Sequence, residues 1–171
     1  MEERNSFIES SVNWCQIGIG VTALLAGTLV YLIDRPPDHT YFVYSNLFDI
    51  SFHNTLPNIF GIIGNSLPTL IHVFSFILIT AGLLSCQKRG CLIICVSWFI
   101  IDSAFELGQG FKPLIVKIIP EWFAGIPFLE NTENYFLHGT FDLNDLVCVL
   151  LGSIMAYFVL LTTNRIEKVS S

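Results

Sequence analysis

The sequence predicts an all-α, polytopic membrane protein: a four-transmembrane-helix bundle with interfacial or re-entrant segments in its two outer loops. Three observations carry this. Apolar residues make up 53% of the chain and charged residues 13%, with a mean hydropathy of +0.64, whereas soluble domains carry about 25% charged residues. No Asp, Glu, Lys or Arg occurs from Ser10 to Ile33, from Ile50 to Gln87, or from Leu146 to Asn164. A helix crosses the hydrocarbon core with about 20 apolar residues, so each stretch is long enough. A chain of 171 residues could not bury so many such segments in water, and it reads as a single membrane domain.

The first span covers about 14–33, and Asp34-Arg35-Pro36-Pro37 stops it, because a proline pair cannot continue a helix. Ahead of it, Met1-Glu2-Glu3-Arg4 is acidic where a signal peptide has a basic region, and no Ala-x-Ala site follows. The segment is therefore expected to stay as an anchor. A loop from Asp38 to about Asn58 carries Tyr41, Phe42, Tyr44, Phe48 and Phe52, which suit a membrane surface. The next apolar stretch is too long for one helix. Ser66-Leu67-Pro68 offers an N-cap and an early proline, which predicts a second span over 67–86 and leaves Ile59–Asn65 as a short interfacial or re-entrant piece.

Gln87-Lys88-Arg89-Gly90 reads as a tight turn and 91–109 as the third span. The connection from Gly110 to Thr140 contains Pro113, Pro120 and Pro127, so its apolar part, Leu114–Phe128, is expected to lie on the membrane rather than cross it. The fourth span runs over 143–163 and opens at Asp142-Leu143-Asn144-Asp145, where a carboxylate can cap the first turn.

Basic residues set the orientation. With both termini cytoplasmic, the inner side carries Arg4, Lys88, Arg89, Arg165 and Lys168, and the outer side Arg35, Lys112 and Lys117. The formal charge of −6 and the absence of a clustered basic patch argue against nucleic acid. Cys15, Cys86, Cys91, Cys95 and Cys148 are odd in number and scattered through apolar segments, so they read as small packing residues rather than a disulfide framework.

Ionisable groups inside spans are expensive, at about 2.5–3.5 kcal/mol each on insertion scales. Asp102, Glu106 and Gln109 share one face of the third span by their spacing of four and three. His72 lies on the second span, and Asp142 and Asp145 open the fourth. At about 1.5 Å of rise per residue, His72, Glu106 and Asp145 fall at one level in the outer leaflet, with Asp102 a turn deeper. If the faces meet, they form a polar pocket open to the outside. Set against this, Asp142 and Asp145 could simply cap their helix, while His72, Glu106 and Gln109 could join neighbouring helices.

These residues also carry a resemblance. Phe105-Glu106-Leu107-Gly108-Gln109, then Gly139-Thr140-Phe141-Asp142-Leu143-Asn144-Asp145 and Gly152, resemble the VanZ-like membrane proteins over about 67–160. That family shows a Glu-x-x-Gln at the end of one helix, then an Asp with an Asn four and a Gly seven residues later. Glu106 and Gln109 match the first element, Asp145 and Gly152 match the second, and His72 resembles the family's helix-two histidine. The chain departs at Val149, in the Asn position, and at Pro68, where an acidic residue usually precedes the histidine. The resemblance implies a protein of the bacterial plasma (inner) membrane, in a family named for glycopeptide-antibiotic resistance and without an agreed reaction.

Two functions stay open. In one, the pocket binds or acts on an envelope lipid or lipid-linked substrate, with Glu106 as acid/base, His72 its partner and Asp145 orienting it, while Asp102, Gln109 and Asp142 contribute binding contacts. In the other, the chain is a non-enzymatic accessory subunit or assembly factor and the same residues are interhelical contacts. A channel or transporter stands third, because four helices are few for one. A divalent metal held by His72, Glu106 and Asp145 is possible by ligand type, but no His-x-x-x-His or Cys-x-x-Cys pattern supports it, so neither a metal nor another cofactor is assigned. The partners implied are membrane lipids, then a membrane-protein partner or a second copy of the chain.

Overall fold

The computed structural model describes residues 12–34, 60–61, 63–126 and 129–170, and every regular element among them is helical. The order is α1 (Trp14–Asp34), α2 (Ile63–Leu84), α3 (Lys88–Gly110), α4 (Lys112–Ile118), two 3-10 turns (Glu121–Gly125 and Leu129–Asn131), α5 (Thr132–His138) and α6 (Leu143–Ser170). Four of these helices are long and apolar enough to span a membrane, over Trp14–Ile33, Gly64–Leu84, Lys88–Gly110 and Leu143–Asn164. The chain is a multi-pass membrane protein. The Arg35-Pro36-Pro37 stop and the aromatic loop through Asn58 lie outside the described residues.

Helices are the form that lets a span satisfy its backbone without water. Their polar side chains follow the same rule. Thr22, Thr28, Ser153 and Thr162 each donate to a carbonyl four residues earlier in their own helix. Meanwhile Leu25 and Leu29 of α1, Leu92 and Ile100 of α3, and Leu151 and Phe158 of α6 point outward, as lipid permits and water would not.

Two boundaries differ from the sequence expectation. The second span begins at Ile63 rather than Leu67, with Pro68 inside the helix. The turn at Phe60 and Gly61 already feeds it, since the Gly64 amide donates to both of their carbonyls. Pro68 therefore forfeits one bond, to the Gly64 carbonyl, while its buried ring stays packed. Residues 63–65, expected to belong to an interfacial or re-entrant piece, are part of this helix, while 59 and 62 lie outside the described residues. The third span begins at Lys88 rather than Cys91, with Gln87 as the extended N-cap residue. Ser85, at φ 46°, makes the reversal five residues earlier than Gly90 would. α6 also continues past Thr163, through Ser170.

α2 is the central helix. α1 packs on one side of it, α6 and α3 on the other, while α1 barely meets α6. The core runs along α2 as Val73, Ile77, Leu78 and Ala81, against Cys91 and Cys95 of α3 and Val149, Ala156 and Leu160 of α6. Glycines allow the close approach that membrane packing needs: a Cβ on Gly20 would meet the Ser75 carbonyl at 2.9 Å, and one on Gly82 the Asn13 carbonyl at 2.9 Å. The start of α1 and the C-terminal part of α6 lie at one end of the bundle. There the Asn13 amide donates to the Gly82 carbonyl at 2.9 Å, and Gln16 reaches Thr163.

Candidate functional site

The other end of the bundle holds the carboxylates, where α2 and α6 begin and α3 finishes. The turns after α3 fold the chain back on itself. α5 lies against the end of α3, with Phe136 stacked on Phe105 at 5.6 Å between ring centroids. Gly108 admits that ring, because a Cβ there would stand 2.6 Å from it. Gln109 Nε2 donates to the Tyr135 hydroxyl at 2.8 Å, and Lys112 Nζ to the Leu137 carbonyl at 3.0 Å. Burial, then the nearby Glu106 carboxylate, pushes the Tyr135 phenol up to about 12, so it stays protonated as a hydrogen-bonding group at neutral pH.

From α5 the chain turns into α6 through Gly139, whose missing side chain leaves room for the Gln109 amide. Asp142 Oδ1 caps α6 by accepting the Asn144 amide at 2.9 Å, as its place before an apolar run predicts. The Asp142 amide in turn donates to Glu106 Oε1 at 3.0 Å. One turn into α6, Asp145 Oδ1 accepts from the Thr69 hydroxyl of α2 at 3.3 Å. Glu106 is 7% exposed and Gln109 8%, and Asp142 and Asp145 are within electrostatic range of Glu106. Among the described residues no Lys or Arg pairs with these three carboxylates, and no group of three His, Cys, Asp or Glu residues is set to hold a metal ion.

His72 stands apart. Because α2 starts at Ile63, His72 lies about 13 Å into it rather than the shallower depth expected from a start at Leu67. That is the level of Asp102, about 12 Å from the end of α3, and not of Glu106. His72 Nδ1 accordingly faces Asp102 Oδ2 at 3.8 Å. The histidine side chain is 49% exposed on the flank of the bundle and its ring lies 4.4 Å from Phe76. The same flank continues through Phe76 to Trp98, whose indole donates to Thr80 at 3.1 Å. The expected set thus divides into a cluster of Glu106, Gln109, Asp142 and Asp145 and a separate His72–Asp102 pair.

No family model, no curated protein and no solved structure matches this chain. The chemistry must be read from its own side chains.

Thr69 and Tyr135, which complete the cluster, carry no charge at neutral pH, so the cost of burying charge does not single them out in the sequence. Nor does that cost single out a network at the opposite end. Gln16 Nε2 donates to Thr163 Oγ1 and to Asn164 Oδ1, each at 2.9 Å, and Asn164 Nδ2 reaches the Cys86 carbonyl and the Cys91 sulfur at 3.3 Å. The signal was available: Gln16 and Asn164 are the polar amides near the ends of the first and last spans. Chemically, the carboxylate cluster is an acceptor site. Glu106 commits one oxygen to a backbone amide, and its other oxygen makes no hydrogen bond within the described protein, which suits hydroxyl or ammonium donors.

Proposed function

We propose that this chain is a VanZ-like integral membrane protein of the bacterial cell envelope, which binds the headgroup of an envelope lipid or lipid-linked substrate at its carboxylate cluster. It lies in the plasma (inner) membrane with both termini cytoplasmic, which puts the cluster in the outer leaflet. The distribution of basic residues, denser on Lys88, Arg89, Arg165 and Lys168 than on Lys112 and Lys117, supports that orientation. The observation that supports binding is the Glu106 carboxylate: nearly buried, held in place by one amide, and with its other oxygen uncommitted among the described residues, beside Asp142 and Asp145. Glu106 is also the group placed to move a proton if a reaction follows binding. His72 and Asp102 form a second, deeper polar pair.

One observation favours the accessory-subunit reading. Glu106 with Asp142, Thr69 with Asp145, and Gln109 with Tyr135 each join two different elements, which is what interhelical contacts alone would do. Glu106→Gln separates the two readings, because the amide keeps an oxygen for the Asp142 N–H and loses the charge. The measurement is native mass spectrometry of lipid retained by the purified protein, run beside membrane accumulation and melting temperature. Binding predicts unchanged accumulation and melting with lipid retention down about tenfold, the worth of one charge-assisted hydrogen bond. Lost accumulation would assign Glu106 to the fold, and unchanged retention would remove it from any lipid site.

A further inference from the structure

The turn between α2 and α3 places two thiols in contact. Cys86 Sγ, just beyond the second span, and Cys91 Sγ, in the first turn of α3, are 3.6 Å apart. Ser85 in the left-handed region supplies the reversal. Gly90 supplies the space, because a Cβ on it would stand 2.7 Å from the Cys86 Cβ. Cys91 is fully buried and donates to the Cys86 carbonyl at 3.3 Å, while Cys86 is part-exposed. Asn164 Nδ2, donating to the Cys91 sulfur at 3.3 Å, is a ready partner for negative charge there. Ordinary packing accounts for Cys95, buried in the core, and for Cys15, exposed on the outer face of α1. It does not require two sulfurs to meet at a turn.

We infer that Cys86 and Cys91 are a modification site, which an external low-molecular-weight disulfide converts to an intramolecular disulfide. A sulfur–sulfur bond is about 2.05 Å long, so the two sulfurs close by about 1.5 Å from the observed contact. The exchange balances. The Cys86 thiolate attacks one sulfur of oxidised glutathione, forming a mixed disulfide and releasing one glutathione thiol. The Cys91 sulfur, losing its proton to water, then attacks Cys86 and displaces the second glutathione. The two protein thiols are oxidised, and one glutathione disulfide is reduced to two thiols.

Cys86 enters this exchange slowly, because burial, and then the neighbouring Cys91, push its thiol up to about 12. Its thiolate fraction, and with it the rate, rises about tenfold per pH unit below that value. In the orientation proposed above the turn is cytoplasmic, where the pair rests as a dithiol and closes when the disulfide load rises.

The test uses the full-length protein in nanodiscs with oxidised glutathione at pH 7 and pH 8, followed by alkylation and non-reducing tryptic mapping. Trypsin cuts after Lys88 and Arg89, between the two cysteines, so their peptides stay joined only through a disulfide. The expected result is that joined pair, forming about tenfold faster at pH 8, with Cys91→Ser halting at a glutathione adduct on Cys86. The inference is overturned if wild-type Cys86 accumulates the adduct while Cys91 remains alkylatable, or if Cys15 reacts and Cys86 does not. The wild-type arm decides the matter even where the variant fails to fold.

Discussion

Gly152→Val is expected to drive α6 away from α2 and to deplete the protein from the membrane. A Cβ at this position would stand 2.6 Å from the Leu70 carbonyl oxygen and 2.5 Å from Val73 Cγ1. The first of these is backbone and cannot rotate aside. Val73 is fully buried in the core and has no free space to move into. Overpacking a core costs about 1–3 kcal/mol where side chains can adjust, and a clash with helix backbone should meet or exceed the upper figure. Separating α6 from α2 also strains the Thr69–Asp145 bond, so the carboxylate cluster loosens with the helices. The control is Gly18→Ala, where an added Cβ meets nothing within 4 Å and helix propensity favours alanine by about 1 kcal/mol. Thermal unfolding in detergent should place the two variants on opposite sides of the wild type. A valine variant that melts with the wild type would mean that α2 and α6 do not approach as described.

Gln16→Leu should be the most damaging polar substitution at the opposite end. The side chain is 2% exposed and donates to Thr163 and Asn164. Leucine fills similar volume, so the loss falls on the two hydrogen bonds rather than on packing. Thr163 remains satisfied by its bond to the Val159 carbonyl, but Asn164 Oδ1 is left without its donor. Hydrogen bonds between membrane helices average about 0.6 kcal/mol and reach about 1.7, so the pair should be worth about 1–2 kcal/mol. A double-mutant cycle with Asn164→Leu measures this. The two substitutions should be clearly sub-additive, since they delete one shared bond, and full additivity would show that Gln16 and Asn164 do not touch.

How much of the site could be read from the chain depends on what each residue needs. Asp142 as a cap is legible because capping is local: it requires only an amide two residues ahead, and the apolar run after it announces the helix. Asp102, Glu106 and Gln109 share a face for an equally local reason, the 3.6-residue turn. The depth of His72 was not legible. It rests on where α2 starts, and Ser66 with Pro68 signals a start four residues late. The helix instead begins in a turn at Phe60 and Gly61 and absorbs the proline. That shift moves His72 about 6 Å down the helix, enough to exchange Glu106 for Asp102 as its neighbour.

Hydrophobic length and the scarcity of charge point on their own to a helical, multi-pass membrane protein, and four of the described helices are long and apolar enough to cross. An apolar segment of about 20 residues satisfies its own backbone in lipid as a helix, so that conclusion needs no knowledge of contacts. Which helices touch is another matter. α2 at the centre, α1 on its flank, Gln16 joined to Asn164, and two cysteine sulfurs in contact across a turn all depend on glycines that let particular backbones close. The helix–helix approaches are pairwise and long-range, the Cys86–Cys91 contact rests on the conformation of one turn, and one-dimensional order does not encode either in a simple local pattern.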